Sequence, residues 1–154
     1  MQKSTVIETI IILNIVLFLY TGIAKIQDFT LFKGQLAENP LLASSSKAIA
    51  ILLPLIEFII VVMLAIPRWR LKGLQITFGL MVLFTGYIAL LLATSDHLPC
   101  SCGGIIEQLS WKQHLLFNGI FIGLDAFAIR LLLQQKKELY KERNEIIGYK
   151  ISHS

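Results

Sequence analysis

The run Ala48-Ile49-Ala50-Ile51-Leu52-Leu53-Pro54-Leu55-Ile56-Glu57-Phe58-Ile59-Ile60-Val61-Val62-Met63-Leu64-Ala65-Ile66 decides how this chain folds. A helix packed on the surface of a soluble domain carries an apolar stripe and a polar face. This run is apolar all round, with Glu57 as its one ionisable residue. Such a segment belongs in hydrocarbon, and working outward from it finds three more of its kind. They run from about Thr5 to Ala24, from Leu74 to Thr94 and from Gln113 to Leu133. Each is about 20 residues long, and at about 1.5 Å rise per residue that length matches a hydrocarbon core of about 30 Å. The expected fold class is therefore all-α: an integral membrane four-helix bundle whose backbone hydrogen bonds are satisfied within each helix.

Composition agrees. The 154 residues are 55% hydrophobic and only 16% charged, and mean hydropathy is +0.70, too apolar for an ordinary soluble domain. A net charge of +4 raises the question of nucleic acid. The basic residues cluster beside apolar runs and form no single stripe, so lipid headgroups are their expected neighbours. The first run follows Lys3 and ends in Gly22 and Ala24, as a secretory signal does. It is longer than a signal core and is interrupted by Glu8 and Asn14, so it reads as a retained span.

Orientation follows from Lys and Arg in the loops. With the N-terminus inside, the inner side receives Lys3, the turn Arg68-Trp69-Arg70-Leu71-Lys72, and Lys136, Lys137, Lys141 and Arg143; the outer side holds Lys25, Lys33, Lys47 and Lys112. The bias places both termini in the cytoplasm. Residues 1–133 then form the membrane domain and 134–154 a charged cytoplasmic tail continuing the last helix. Asn39-Pro40 and Ser44-Ser45-Ser46 punctuate the first outer loop, where Ser45 or Ser46 is placed to cap the second span.

The same orientation puts residues 95–112 outside, in the compartment where disulfides form and persist. Both cysteines of the chain lie there, in His97-Leu98-Pro99-Cys100-Ser101-Cys102-Gly103-Gly104. Thiol–disulfide exchange needs an accessible thiolate and a second sulfur within reach. One intervening residue brings Cys100 and Cys102 within reach but closes a very small ring, away from relaxed disulfide geometry and easier to reduce. So short a loop also constrains the unfolded chain little, which argues against a staple. Three readings stand side by side: a redox-active dithiol, a structural disulfide, and a metal site in which His97, Cys100, Cys102 and His114 offer nitrogen and sulfur to zinc or copper(I). The spacing matches no standard zinc module. His114, about one turn into the fourth span, is either a base or cation acting on a thiol or an interfacial histidine without a role. Trp111 reads as an interface anchor.

Glu57 lies about 15 Å into its span, where an ionisable group is expensive and must face a partner or a cavity. Lys25, at the outer end of the first span, is the candidate partner; a structural pair and a proton or quinone role both remain open. Asn14, Asn118 and Asp125 also lie within spans and are expected to make interhelical hydrogen bonds, with Arg130 a candidate partner for Asp125.

Thr21-Gly22-Ile23-Ala24-Lys25, then Phe32, then Leu53-Pro54-Leu55-Ile56-Glu57, then Pro99-Cys100-Ser101-Cys102-Gly103-Gly104 with Trp111 and Asn118 resemble the DoxX/MauE membrane proteins. The resemblance covers the chain up to about Gln134. In that family's Cys-Gly-Cys-Phe-Gly loop, Ser101 here replaces the middle glycine and Gly104 follows Gly103 directly. The resemblance implies a redox-associated four-helix membrane protein with Cys100 and Cys102 as the redox pair and Lys25, Glu57, Trp111 and Asn118 as family-pattern positions. MauE-like members are associated with disulfide formation or maturation of exported proteins, often beside a thioredoxin-like partner; DoxX-like members are linked to quinone-coupled sulfur oxidation. The architecture is also similar to the four-helix core of DsbB and vitamin K epoxide reductase proteins, which pass electrons from thiols to quinone through two cysteine pairs. This chain has one pair. The function implied is thiol–disulfide exchange with an exported or thioredoxin-like partner, with quinone or another membrane subunit taking the electrons. A non-enzymatic scaffold or assembly subunit with a static disulfide is the alternative, and metal handling the third.

Overall fold

The computed structural model describes residues 2–38, 42–94 and 111–152. The described residues are helical throughout apart from short turns, and contain no strand. Helix α1 spans Gln2–Gln27, α2 Phe29–Glu38, α3 Ser46–Ala65 after a 3-10 turn at Ala43–Ser45, α4 Arg70–Thr94 and α5 Trp111–Ser152. Four of these helices are long and apolar enough to cross a membrane: α1, α3, α4 and α5. The chain is thus a multi-pass membrane protein, and its many exposed Ile, Leu, Val and Phe side chains, among them Val16, Leu55, Leu83 and Leu116, suit a lipid surround.

Helix α1 packs mainly on α3, and α4 mainly on α5. The apolar core joins Ile7, Ile10, Ile11 and Phe18 of α1 to Ile60 and Leu64 of α3, Leu74 and Met81 of α4, and Ala128 of α5. On α1 these positions recur at three- and four-residue intervals, which is the stripe that two facing helices bury. At one end of the bundle Arg70 joins the elements: its guanidinium donates to the Glu8 carboxylate, and its Nε donates to the Leu64 carbonyl at 3.3 Å. Leu64 is one of the last residues of α3, so Arg70 satisfies a carbonyl that the helix end leaves without an intrahelical donor.

Three details differ from the sequence reading. The stretch between the first two spans contains α2, ten residues of mixed polarity too short and weakly periodic to read as a helix. Ser45 does sit at the N-cap of α3, yet makes no side-chain cap hydrogen bond; the preceding 3-10 turn brings the chain into the helix instead. Finally, α4 begins at Arg70, about one turn before the apolar run at Leu74, because helix propensity carries a helix past the apolar run that marks its membrane portion; α5 runs on to Ser152 as the expected continuation of the last helix.

Candidate functional site

The sequence motifs of α1, α2 and α3 converge on one buried ion pair. Lys25 Nζ donates to Glu57 Oε1 at 2.7 Å, with the two side chains 6% and 2% exposed. Thr21, one turn before Lys25 on the same face of α1, donates from Oγ1 to the same carboxylate oxygen at 3.3 Å. Lys25 Nζ also reaches the Thr21 carbonyl at 3.4 Å. Gly22 explains how the helices come so close. A Cβ there would sit 3.4 Å from Glu57 Oε2 and 3.4 Å from Phe58 Cζ, so any side chain larger than a methyl would push α1 off α3. Helix α2 closes the cluster, with the buried Phe32 ring 5.8 Å from the Lys25 ammonium in cation–π range.

The pairing expected between Lys25 and Glu57 is therefore present. Measured against α1, Glu57 stands opposite the last two turns of that helix, and α3 runs on beyond it alongside α2. A lone charge at such a site would be costly, whereas a neutral pair with one hydrogen-bonded contact is tolerated. Only Oε1 is engaged: Glu57 Oε2 is buried with no hydrogen-bond partner among the described residues. The site therefore retains a buried lone-pair acceptor beside an ammonium, an arrangement able to accept a proton or a donor hydrogen.

His114 is buried in the first turn of α5, and the Lys25 ammonium acts on it electrostatically. The start of α5 thus comes back to the Lys25 end of the bundle. Trp111 is the first residue of that helix, and Asn118, one turn beyond His114, is buried at 5% exposure. Cys100, Cys102 and His97 lie outside the described residues. So does most of the alternative metal set; among the described residues no group of three His, Cys, Asp or Glu side chains is arranged to hold a metal ion.

The second polar contact in the core corrects an expectation. Asp125 is met by Asn14, whose Nδ2 donates to Asp125 Oδ1 at 2.8 Å and to the Ile10 carbonyl at 2.9 Å. Arg130 is exposed. Five residues along a helix is a rotation of about 140°, which turns the two side chains of Asp125 and Arg130 to different faces. Thr21 as a direct ligand of the carboxylate, and Gly22 as the residue that admits it, were visible only as motif letters. Their roles depend on α3 lying against α1.

Fold and site together define a class: a polytopic helical membrane protein with a buried lysine–glutamate pair at one end of its bundle. Within that class the chain belongs to the MauE family, since the model of the family described as methylamine utilisation protein MauE matches residues 3–133. No curated protein and no solved structure matches the chain.

Proposed function

We propose that this protein is a membrane thiol–disulfide redox protein that uses Cys100 and Cys102 to exchange disulfides with an exported, thioredoxin-like partner during protein maturation. The observation that carries the reading is the convergence just described. Lys25, Glu57, Thr21, Phe32 and His114 gather at the end of the bundle where α4 gives way to the cysteine-bearing segment and α5 returns from it. The described ends of α4 and α5 that flank the cysteine-bearing segment share that end of the bundle with a buried carboxylate, an ammonium and an imidazole. The family's description, a protein of methylamine utilisation, is consistent with a maturation role for an exported component of that process.

In the proposed cycle a partner thiolate attacks one sulfur of the Cys100–Cys102 disulfide. A mixed disulfide forms and the other cysteine leaves as a thiolate. The partner's second thiolate then attacks the mixed disulfide, so the partner leaves oxidised by two electrons and Cys100 and Cys102 remain as the reduced pair. Reoxidation requires an acceptor of two electrons and two protons, which a membrane quinone or another membrane subunit supplies. The orientation that suits this cycle is the one the loop charges favour: both termini in the cytoplasm of a bacterial inner membrane and the cysteines on the outer face.

The test is the midpoint potential of the cysteine pair in the purified protein, read by thiol alkylation across a graded glutathione or dithiothreitol series. A reversible transition well above roughly −300 mV is expected for an exchange catalyst. A bond that stays oxidised to much lower potential, together with normal maturation of exported disulfide proteins in a strain carrying Cys100→Ser and Cys102→Ser, overturns the reading in favour of a scaffold with a static bridge.

A further inference from the structure

Below the Lys25–Glu57 pair the core holds a second polar group that the proposed redox cycle does not use. Asn14 and Asp125 are both 0% exposed, and one hydrogen bond joins them. Both amide hydrogens of Asn14 are committed, one to Asp125 and one to the Ile10 carbonyl, which settles the orientation of the amide. Two oxygens are left over: Asn14 Oδ1 and Asp125 Oδ2 are buried without a hydrogen-bond partner among the described residues. Thr77 Oγ1 of α4, also at 0% exposure, is a third.

The helix register sets the level of Thr77 relative to the other two. Glu57 meets Thr21, so on antiparallel α3 Leu64, seven residues on, lies level with Asn14, seven residues back, each about two turns away. Leu64 in turn abuts Gly73 of α4, where a Cβ would fall 3.0 Å from its Cδ2. Gly73 is therefore level with Asn14, and Thr77 stands about one turn further along. Three helices thus bring three unpartnered oxygens within about one turn of one another along the bundle axis.

Among the described residues Asp125 makes no salt bridge. On α1, Glu8 is held by Arg70 and Lys25 by Glu57. On α4, Arg70 is spent on Glu8 and Lys72 is exposed; on α5, Arg130 is exposed. An ionised, singly hydrogen-bonded carboxylate in that environment is among the costliest groups a membrane bundle can hold. Every unsatisfied atom of the set is an oxygen, the ligand type that suits a hard cation.

We propose that the α1–α4–α5 interface binds one monovalent cation, a proton or a sodium ion, at Asp125, with Asn14 Oδ1 and Thr77 Oγ1 as its neutral oxygen partners. Either carrier cancels the carboxylate charge. A proton makes Asp125 Oδ2 a donor and leaves Asn14 Oδ1 as an acceptor for it; a sodium ion gathers the same oxygens around itself. The loaded site ties α1 to α5 across the core, so loading stabilises the bundle by mass action.

The experiment uses the full chain reconstituted in lipid nanodiscs. Infrared spectra are recorded in sodium-free choline buffer and after sodium addition at constant ionic strength, with Tm measured on the same samples. A proton at the site gives a buried carboxylic-acid carbonyl band, shifted by deuterium exchange, and a Tm indifferent to sodium. A sodium site gives loss of that band, or its absence, and a Tm that rises with sodium. Asp125→Asn, which needs no cation, is expected to lose both signals, and Thr77→Val to weaken only the sodium response. Wild-type protein showing neither the band nor any sodium response overturns the proposal, and that measurement does not depend on either variant folding. It is also independent of the cysteines, so the redox reading stands or falls separately.

Discussion

At the scale of single residues, the Lys25–Glu57 contact is the interaction on which the local structure most depends. Each charge is buried, so removing one strands the other in a medium that solvates it poorly. Lys25→Met or Glu57→Gln alone is expected to cost about 3–5 kcal/mol, whereas the double variant, which removes both charges, should cost less than the sum of the two. Reversible unfolding in mixed micelles measures the four corners of this cycle. Simple additivity would show that the two groups act separately. Thr21 and Gly22 set the geometry of the pair, one by donating to Oε1 and the other by leaving room for α3. The sequence marks Glu57 and Lys25 as intramembrane charges because any such residue is expensive. It could not mark Asn14 as the partner of Asp125, because residues 111 positions apart meet only once the helices are packed.

At the scale of elements, α2 and the distal half of α5 are the parts a hydropathy reading handles least well. Helix α2 contributes one buried side chain, Phe32, and its place over Lys25 depends on α1 and α3 being docked first. Helix α5 has 42 residues, about 63 Å at 1.5 Å per residue, roughly twice the hydrocarbon thickness. From Lys136 to Tyr149 every residue is exposed, and an i,i+4 pair of Lys141 with Glu145 at 3.9 Å is its one ion pair among the described residues. Such a pair contributes little in water. Truncation after Gln135 is therefore expected to leave the bundle intact, with a change in unfolding free energy within about 0.5 kcal/mol. A large loss of stability on truncation would mean that the distal helix packs on something in the membrane-bound protein.

At the scale of the whole molecule, the proposed topology makes a direct prediction: in intact bacterial cells whose outer membrane has been permeabilised, a membrane-impermeant thiol reagent added after reduction should label Cys100 and Cys102, while a cysteine placed in the distal part of α5 should label only after the inner membrane is broken. Labelling in the reverse order would invert the bundle and put the cysteine pair in the reducing compartment, where the exchange cycle has no substrate. What the sequence by itself determined is the number of spans and their approximate places, because about 20 consecutive apolar residues have a single good environment and that environment demands helix. It also determined that Glu57 needs a partner, and Lys25 was the one within reach. Only the tertiary structure decided how those spans meet: that Thr21, Gly22 and Phe32 serve the same pair, that His114 returns to it, and that Asp125 faces Asn14 across the core and not Arg130 along its own helix. Hydrophobic burial is non-directional and can be read from composition, whereas a hydrogen bond or ion pair exists only at a distance and angle fixed by the packing of other residues.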